Sequence, residues 1–415
     1  MDERRDARSE VAEGFFPRSG IPFSAALLPA VSLSVAAWNR DTLEAICRAL
    51  VSISGVNGAP IETLRALIRR RLGVGQVFLC GSGSLALELA LRAFGVGRGD
   101  EVVLPTLCCA AVVLPVLATG ATAVLADVGP ELNLTAAAAG AALTQKTRAI
   151  VVPHLFGNPA EIEAIVELAR ARNVRVIDDA AQALGATIAG RAVGSFGDAG
   201  LLSFGPQKIC AGLGGGALIA REQIAPARPG DFALEKPAAL PAIRNLWSAL
   251  APQLFDRLGS AGAPGPDAPP RWYRKEKMAK LNAAVAVTLM QSLCDNLGAR
   301  RARARRYSEL LQGVEGIELI AHRAGSACLT QVVRVRATRV DRAAAVVEAL
   351  RRAGHRAQGS YVPIHRLTHY SMCVWDNVSF ADRIWSELIE LPCEPHMKLE
   401  DVERIAAIVK SAARN

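Results

Sequence analysis

Residues 174–208 read VRVIDDAAQALGATIAGRAVGSFGDAGLLSFGPQK, and the fold is decided here. A β-branched run, Val174–Asp178, closes on two adjacent acids, Asp178 and Asp179, and then on small residues. A second apolar run, Gly200–Phe204, opens into a Gly/Pro loop that carries Lys208. Short apolar runs bounded by Gly, Pro and Asp predict strands buried on both faces. The pattern recurs at Glu101–Leu104, Ala121–Asp127, Ala149–Pro153 and Ala217–Ala220. Helical spacing separates several of these runs, as in Ser84–Phe94 and Pro159–Asn173. The alternation predicts a wound α/β domain with a large, mostly parallel sheet. Such sheets bind ligands at the carboxyl ends of their strands, and Asp179 and Lys208 both fall there.

Outside this region the rhythm changes. Residues 1–75 read as an N-terminal arm followed by helices at Asp41–Ser52 and Pro60–Leu72. The large α/β domain is expected over 76–275, with a Pro/Ala-rich excursion at 221–275 carrying one amphipathic helix, about Leu240–Leu258. Residues 276–315 predict a long helical connector into a smaller C-terminal α+β domain, 276–415 in all. That domain is expected to hold a strand at Leu329–Arg336 and helices at Asp341–Ala353, Ser379–Leu391 and Leu399–Ala413.

Composition narrows the function classes. The 415 residues can bury a large core without disulfide or metal staples. With 51% hydrophobic and 21% charged residues, wholesale disorder, collagen and coiled coil are excluded. The net charge of +9 favours acidic small molecules such as phosphates or nucleotides, the plain alternative being a solvated Arg-rich exterior. The basic clusters Arg69–Arg71 and Arg300–Arg306 lack interleaved aromatics, so no nucleic-acid partner is expected. The apolar stretch Ile21–Trp38 is broken by Pro22 and Pro29 and is short for a membrane span, so it reads as a packed arm. Nine Cys without a C-x-x-C pair, behind a charged MDERRDARSE start, predict reduced thiols and a cytoplasmic location.

Four features carry chemistry. Cys80-Gly81-Ser82-Gly83-Ser84 opens a helix, and small residues at a helix N-terminus can cradle a phosphate or simply cap the helix. Val176-Ile177-Asp178-Asp179-Ala180-Ala181-Gln182 delivers an acid to a strand end, facing a ligand or capping the next helix. No His or further carboxylate is spaced to complete a metal shell, so no metal is expected. Ser203-Phe204-Gly205-Pro206-Gln207-Lys208 puts a lone Lys behind a strand, either a turn residue or an amine able to bond a carbonyl carbon. Arg271-Trp272-Tyr273-Arg274-Lys275-Glu276-Lys277 is a basic patch after the excursion. Together they suit pyridoxal 5'-phosphate: a Lys for its aldehyde, an acid for its ring nitrogen and a cradle for its phosphate. The nucleotide fingerprints G-x-G-x-x-G and G-x-x-x-x-G-K-[ST] do not occur in the required setting.

The ordered motifs GVGRGDEVVLPT, PHLFGNPAEI, VIDDAAQALGAT, GSFGDAGLLSFGPQK and GGGALIA, with LIELPCEPHMKLEDVERI near the end, resemble the DegT/DnrJ/EryC1/StrS sugar aminotransferases. That resemblance implies the fold-type-I architecture of pyridoxal-phosphate transferases. It implies a homodimer with shared sites, glutamate or glutamine as amino donor, and a nucleotide-linked keto-sugar as acceptor. Lys208 would carry the cofactor and move the proton, Asp179 would pair with the ring nitrogen, and Gln182 would lie near the ring. Gly83, Ser84 and Ser203 would hold the phosphate, completed by Lys275 and Lys277 across the subunit boundary. Cys109 takes the place of the family's ring-stacking aromatic, and Gly214 that of an acid after the Lys. His154, Tyr361 and His365 are candidates for lining the substrate side. A non-sugar ketone or aldehyde acceptor, or a non-catalytic regulatory relative, are the alternatives, and Lys208 with Asp179 speaks against the second.

Overall fold

The computed structural model describes residues 40–50, 55, 57–237, 246, 273, 275–336, 342–355 and 357–414. The arm expected at Ile21–Trp38 lies outside these residues. So does the helix expected at Leu240–Leu258, apart from Leu246, which is buried.

Two helices lead in, α1 (Arg40–Ala49) and α2 (Ala59–Leu72). Pro60 occupies the first turn of α2, where no N–H is needed, and Gly73 ends it in the left-handed region at φ 64°. The chain then alternates through β1 (Gln76–Cys80), α3 (Gly83–Ala93), β2 (Glu101–Pro105), α4 (Val113–Thr119), β3 (Thr122–Ala126), α5 (Ala136–Ala142), β4 (Thr147–Pro153), α6 (Ile162–Ala171) and β5 (Arg175–Asp179). A small hairpin, β6 (Thr187–Ile188) and β7 (Arg191–Ala192), precedes β8 (Ala199–Ser203) and β9 (Gly216–Ala220). Beyond the excursion come α7 (Lys280–Gln291), α8 (Leu293–Leu311), β10 (Ile317–Leu319), β11 (Thr330–Val335), α9 (Arg342–Arg352) and β12 (Gln358–Gly359). The last elements are β13 (Val374–Trp375), α10 (Ser379–Ile384), β14 (Leu388–Pro392) and α11 (Leu399–Arg414).

The eight-stranded sheet has the order β1-β9-β8-β5-β4-β2-β3-β13. Only β9 runs against its neighbours, so the sheet is mostly parallel, as its apolar strands predict. β4 shows why: Ala149–Pro153 are all buried, and helices cover both faces. One core lies between the sheet and α1, α2, α6 and α7, through Ile46, Leu64, Ile68, Ile165 and Val285. A second lies on the other face with α3 and α4, through Leu85, Leu89, Val113 and Val116. A four-stranded antiparallel sheet, β10-β11-β14-β12, has its own core with α8, α9 and α11.

Two expectations are corrected, and one pairing is added that the sequence did not suggest. The helix expected over Ser379–Leu391 stops at Ile384, and Leu388–Pro392 is instead a strand inside the small sheet. Its alternation sends Ile389 and Leu391 into the α9/α11 core, and pairing with β11 and β12 outweighs the local helical spacing. The connector is not one helix: Met278 and Ala279 are non-helical, and Ser292 breaks α7 from α8. Finally, Val374–Trp375, from the C-terminal part of the chain, pair in parallel with β3 and complete the large sheet.

Candidate active site

Parallel strands aligned in one sheet bring Cys80, Pro105, Pro153, Asp179 and Ser203 to one edge. The site forms there. After β1, Ser82 adopts extended backbone and its hydroxyl accepts the Leu85 N–H at 3.1 Å, capping α3. The first helical N–H groups belong to Gly83 and Ser84. A Cβ on Gly83 would lie 3.0 Å from Ser203 Cβ and 3.3 Å from its Oγ, so this helix start meets the end of β8. A Cβ on Gly216 would come within 2.4 Å of the Ser82 carbonyl, so only glycine lets β9 pass the turn. The helix start and the Ser203 hydroxyl thus stand side by side and offer N–H groups and one hydroxyl, the donor set that an anion requires.

Three strands along from β1, Asp179 ends β5 and is 5% exposed. Its Oδ1 accepts the Ala181 N–H at 2.9 Å, while Oδ2 takes no hydrogen bond among the described residues. Burial raises the carboxyl above its usual range, against the pull of that N–H and of the nearby Lys208 and His154. A cationic ring nitrogen is the partner this arrangement lacks. Lys208 follows β8, the neighbour of β5, and makes no ion pair or hydrogen bond among the described residues. The cradle, the acid with its spare oxygen and the uncommitted amine together fit pyridoxal 5'-phosphate.

Gln182 is oriented by protein contacts. Its Oε1 accepts the Phe156 N–H at 2.9 Å, which aims Nε2 at the Tyr361 hydroxyl, 3.0 Å away. Phe156 takes φ 59°, and its ring stacks on Tyr361 at 6.0 Å between centroids. Burial pushes the Tyr361 hydroxyl well above its ordinary pKa, reinforced by Cys109 and Glu390 nearby. Cys109 is partly buried, just ahead of the 3-10 turn Ala110–Val112. Its neighbour Cys108 is buried and donates to the Pro105 carbonyl at 3.2 Å.

Other expected residues are held differently. His154 is fully buried: its Nδ1 accepts the Ala160 N–H at 2.8 Å, so Nε2 carries the proton and donates to Asp178 at 2.6 Å. Neither nitrogen remains for a substrate, and Asp178 is satisfied by His154 and the Phe196 N–H. His365 bridges the Thr106 hydroxyl at 2.7 Å and Asp382 at 2.6 Å, pinning the 361–366 loop to the end of β2. Lys275 pairs with Glu88 at 3.0 Å, and Glu88, 1% exposed, also binds Arg92 and the Tyr273 hydroxyl. Lys277 lies in the same segment, which pairs with Cys80 and Gly81 beside the cradle, and its exposed ammonium has no partner among the described residues. Gly214 sits at φ 114°, a conformation suited to glycine. Sequence reasoning did not find the orienting roles of Phe156, Glu88, Thr106 or Asp382, because each acts through a partner far along the chain.

Comparisons with known proteins agree with this geometry. The profile of the DegT/DnrJ/EryC1/StrS aminotransferase family matches residues 38–410. The chain is 31% identical, over 89% of its length and 93% of the relative, to UDP-N-acetyl-3-dehydro-alpha-D-glucosamine 3-aminotransferase of Acidithiobacillus ferrooxidans. It is 29% identical to GDP-perosamine synthase of Caulobacter vibrioides, over 81% of this chain and 85% of that one. Among solved structures it is similar to S. venezuelae DesV, determined in complex with a ketimine intermediate, with a TM-score of 0.74 and 26% identity. The match covers 94% of this chain and 99% of DesV.

Proposed function

This chain belongs to the DegT/DnrJ/EryC1/StrS aminotransferase family, and we propose that it transfers an amino group from glutamate or glutamine to the keto group of a nucleotide-linked sugar. The observation that carries the reading is the buried Asp179, with its spare oxygen, on the strand next to the one that delivers Lys208. The cofactor is pyridoxal 5'-phosphate, which supplies a conjugated ring that accepts electrons from the amine-bearing carbon.

The protein's own residues do the rest. Lys208 Nζ holds the cofactor and then moves a proton as acid and base. Asp179 keeps the ring nitrogen protonated through its free Oδ2. The Gly83 and Ser84 N–H groups and the Ser203 hydroxyl hold the phosphate at the start of α3. Gln182, fixed by Phe156, presents its amide beside the ring, with Tyr361 on the substrate side. Cys109, partly buried ahead of the Ala110–Val112 turn, would lie beside the ring, where a thiol offers a small polarisable surface. Lys277 is the cation that completes a phosphate site shared within a homodimer, whereas Lys275 serves Glu88. His154 and His365 orient acids and loops rather than substrate.

The chain is read as an arm and helices over 1–75, a large domain over 76–275 and a small domain over 276–415, with β13 returning to the large sheet. Nine free thiols favour the reducing cytoplasm. Among the described residues no helix is long and apolar enough to cross a membrane.

The test is to load the purified protein with pyridoxal 5'-phosphate and record its visible spectrum before and after L-glutamate. A bound-cofactor band that glutamate removes, with one 2-oxoglutarate released per cofactor, is expected, and Lys208→Ala should abolish it. A folded protein that gives no band, or releases no keto acid from glutamate or glutamine, would sink the reading. Nucleotide-linked keto-sugars and simple ketones, offered to the glutamate-treated protein, then separate the acceptor classes.

A further inference from the structure

Resting on the reading above, we propose that Arg300 and Asn296 are positioning residues for Lys208, tying its loop through one hydrogen-bonded path to Gln182 and Tyr361. The path begins at the residue after the lysine. The Asn296 amide Nδ2 donates to the Ile209 carbonyl at 3.1 Å. Its Oδ1 accepts from Arg300 Nε at 2.8 Å, which fixes which way the amide points. Arg300 is 2% exposed and spends its other donors on the Leu329 carbonyl, 2.9 Å, and Glu394 Oε2, 3.0 Å.

Leu329 joins the two halves. While its carbonyl accepts from Arg300, its N–H donates to the Phe156 carbonyl at 2.9 Å. The Phe156 N–H then donates to Gln182, and Gln182 to the Tyr361 hydroxyl. Arg300 and Leu329 thus stand between the amine and the group nearest the substrate side.

A buried guanidinium is costly where a packed apolar side chain could fill the same space, so its stabilising value is an insufficient explanation. What an apolar residue could not do is bind a side-chain amide and the Leu329 carbonyl, just ahead of β11, through one rigid planar fork. The Lys208 loop contains Gly205, Pro206 and Gly212; Ile209, Cys210 and Leu213 anchor it in the core, and the Asn296 amide holds the backbone at the residue directly after the lysine. A reacting amine displaced by about 1 Å can lose ~100-fold in rate, so such a tether has catalytic consequences without touching the chemistry.

The experiment uses Asn296→Asp and Arg300→Lys, with Arg306→Gln as control. Asn296→Asp keeps an acceptor for Arg300, replaces the donor to Ile209 by a carboxylate oxygen and adds one negative charge, whereas Arg300→Lys keeps the charge and changes only the geometry. Arg306 lies on the same helix and pairs with Glu403, so its loss changes charge without touching the path. In the cofactor-free protein, limiting acetic anhydride labels lysines, and peptide mass spectrometry reads Lys208 against the exposed Lys146 and Lys236. The expected result is a change of ~3-fold or more in relative Lys208 acetylation in both path variants. In the loaded protein, kcat with glutamate should fall ~10-fold or more with KM little changed, and the control should match wild type. Folded path variants with wild-type acetylation and wild-type kcat would overturn the proposal, whatever their thermal stability. If wild type takes an amine from no donor, the functional reading fails, and the acetylation ratio alone decides the positioning role.

Discussion

Replacing Glu390 by Gln is expected to stabilise the protein above neutral pH and to change little in acid. Glu390 lies on β14, its Oε2 accepting from the Gln358 amide at 3.0 Å. Its Oε1 and the Ser360 hydroxyl are both buried without a well-aligned hydrogen bond. Burial pushes the carboxyl from 4.5 up to about 7, against the pull of Gln358 and Ser360. For an acid raised on folding, both states are protonated below 4.5 and no penalty exists. As pH climbs, the unfolded chain ionises first, so stability falls until the folded group ionises near 7. The accumulated penalty is on the order of 3 kcal/mol at full ionisation. A glutamine stays neutral, accepts from Gln358 through its carbonyl and offers an N–H to Ser360. The assay is urea unfolding of cofactor-free wild type and Glu390→Gln, at fixed protein concentration and ionic strength, across about pH 5 to 8.5. The variant's advantage should grow across that range and then level off. An advantage independent of pH, or a variant less stable above neutrality, would refute the reasoning.

Three further outcomes follow from the site. Gly83→Ala forces a methyl to within 3.0 Å of Ser203 Cβ, so pyridoxal-phosphate affinity should drop ~10-fold or more while circular dichroism stays unchanged. Gly216→Ala presses Cβ against the Ser82 carbonyl at 2.4 Å and should cost ~2 kcal/mol or more, read as a lowered melting temperature of the cofactor-free protein. Lys277→Ala should weaken cofactor binding with little loss of stability. Lys275→Ala should instead lower stability, because the buried Glu88 keeps only Arg92 and Tyr273. Equilibrium dialysis and thermal melts on the two variants separate these effects.

The large sheet was legible because its strands are short, apolar and bounded by turn residues, and because Asp179 and Lys208 fall at strand ends. The small sheet was less so. SFADRIWSELIEL has helical spacing throughout, and only pairing with β11 and β12 makes Leu388–Pro392 extended. Two residues such as Val374–Trp375 carry no strand signal, since their one partner, β3, lies about 250 residues away. The same limit applies to side chains. Arg300 stands in a run of arginines on α8, and nothing local separates it from Arg305, which is exposed. His154 follows a strand as a catalytic histidine might be expected to, yet its partners are Asp178 and the Ala160 N–H. Lys275 and Lys277 look equivalent in sequence until Glu88 claims one of them.

The strand at Val374–Trp375 bears on how the protein is made. During synthesis β3 leaves the ribosome long before its outer partner exists, so one side of the nascent sheet has an open row of N–H and C=O groups. A product ending near residue 320 would leave Val124 and Leu125, the middle of that edge, without their partner and should pair more readily with other copies of itself. Cutting the gene anywhere ahead of β13 would therefore favour aggregates over a free-standing cofactor-binding half. Chaperone occupancy during translation should persist until the ribosome has passed β13.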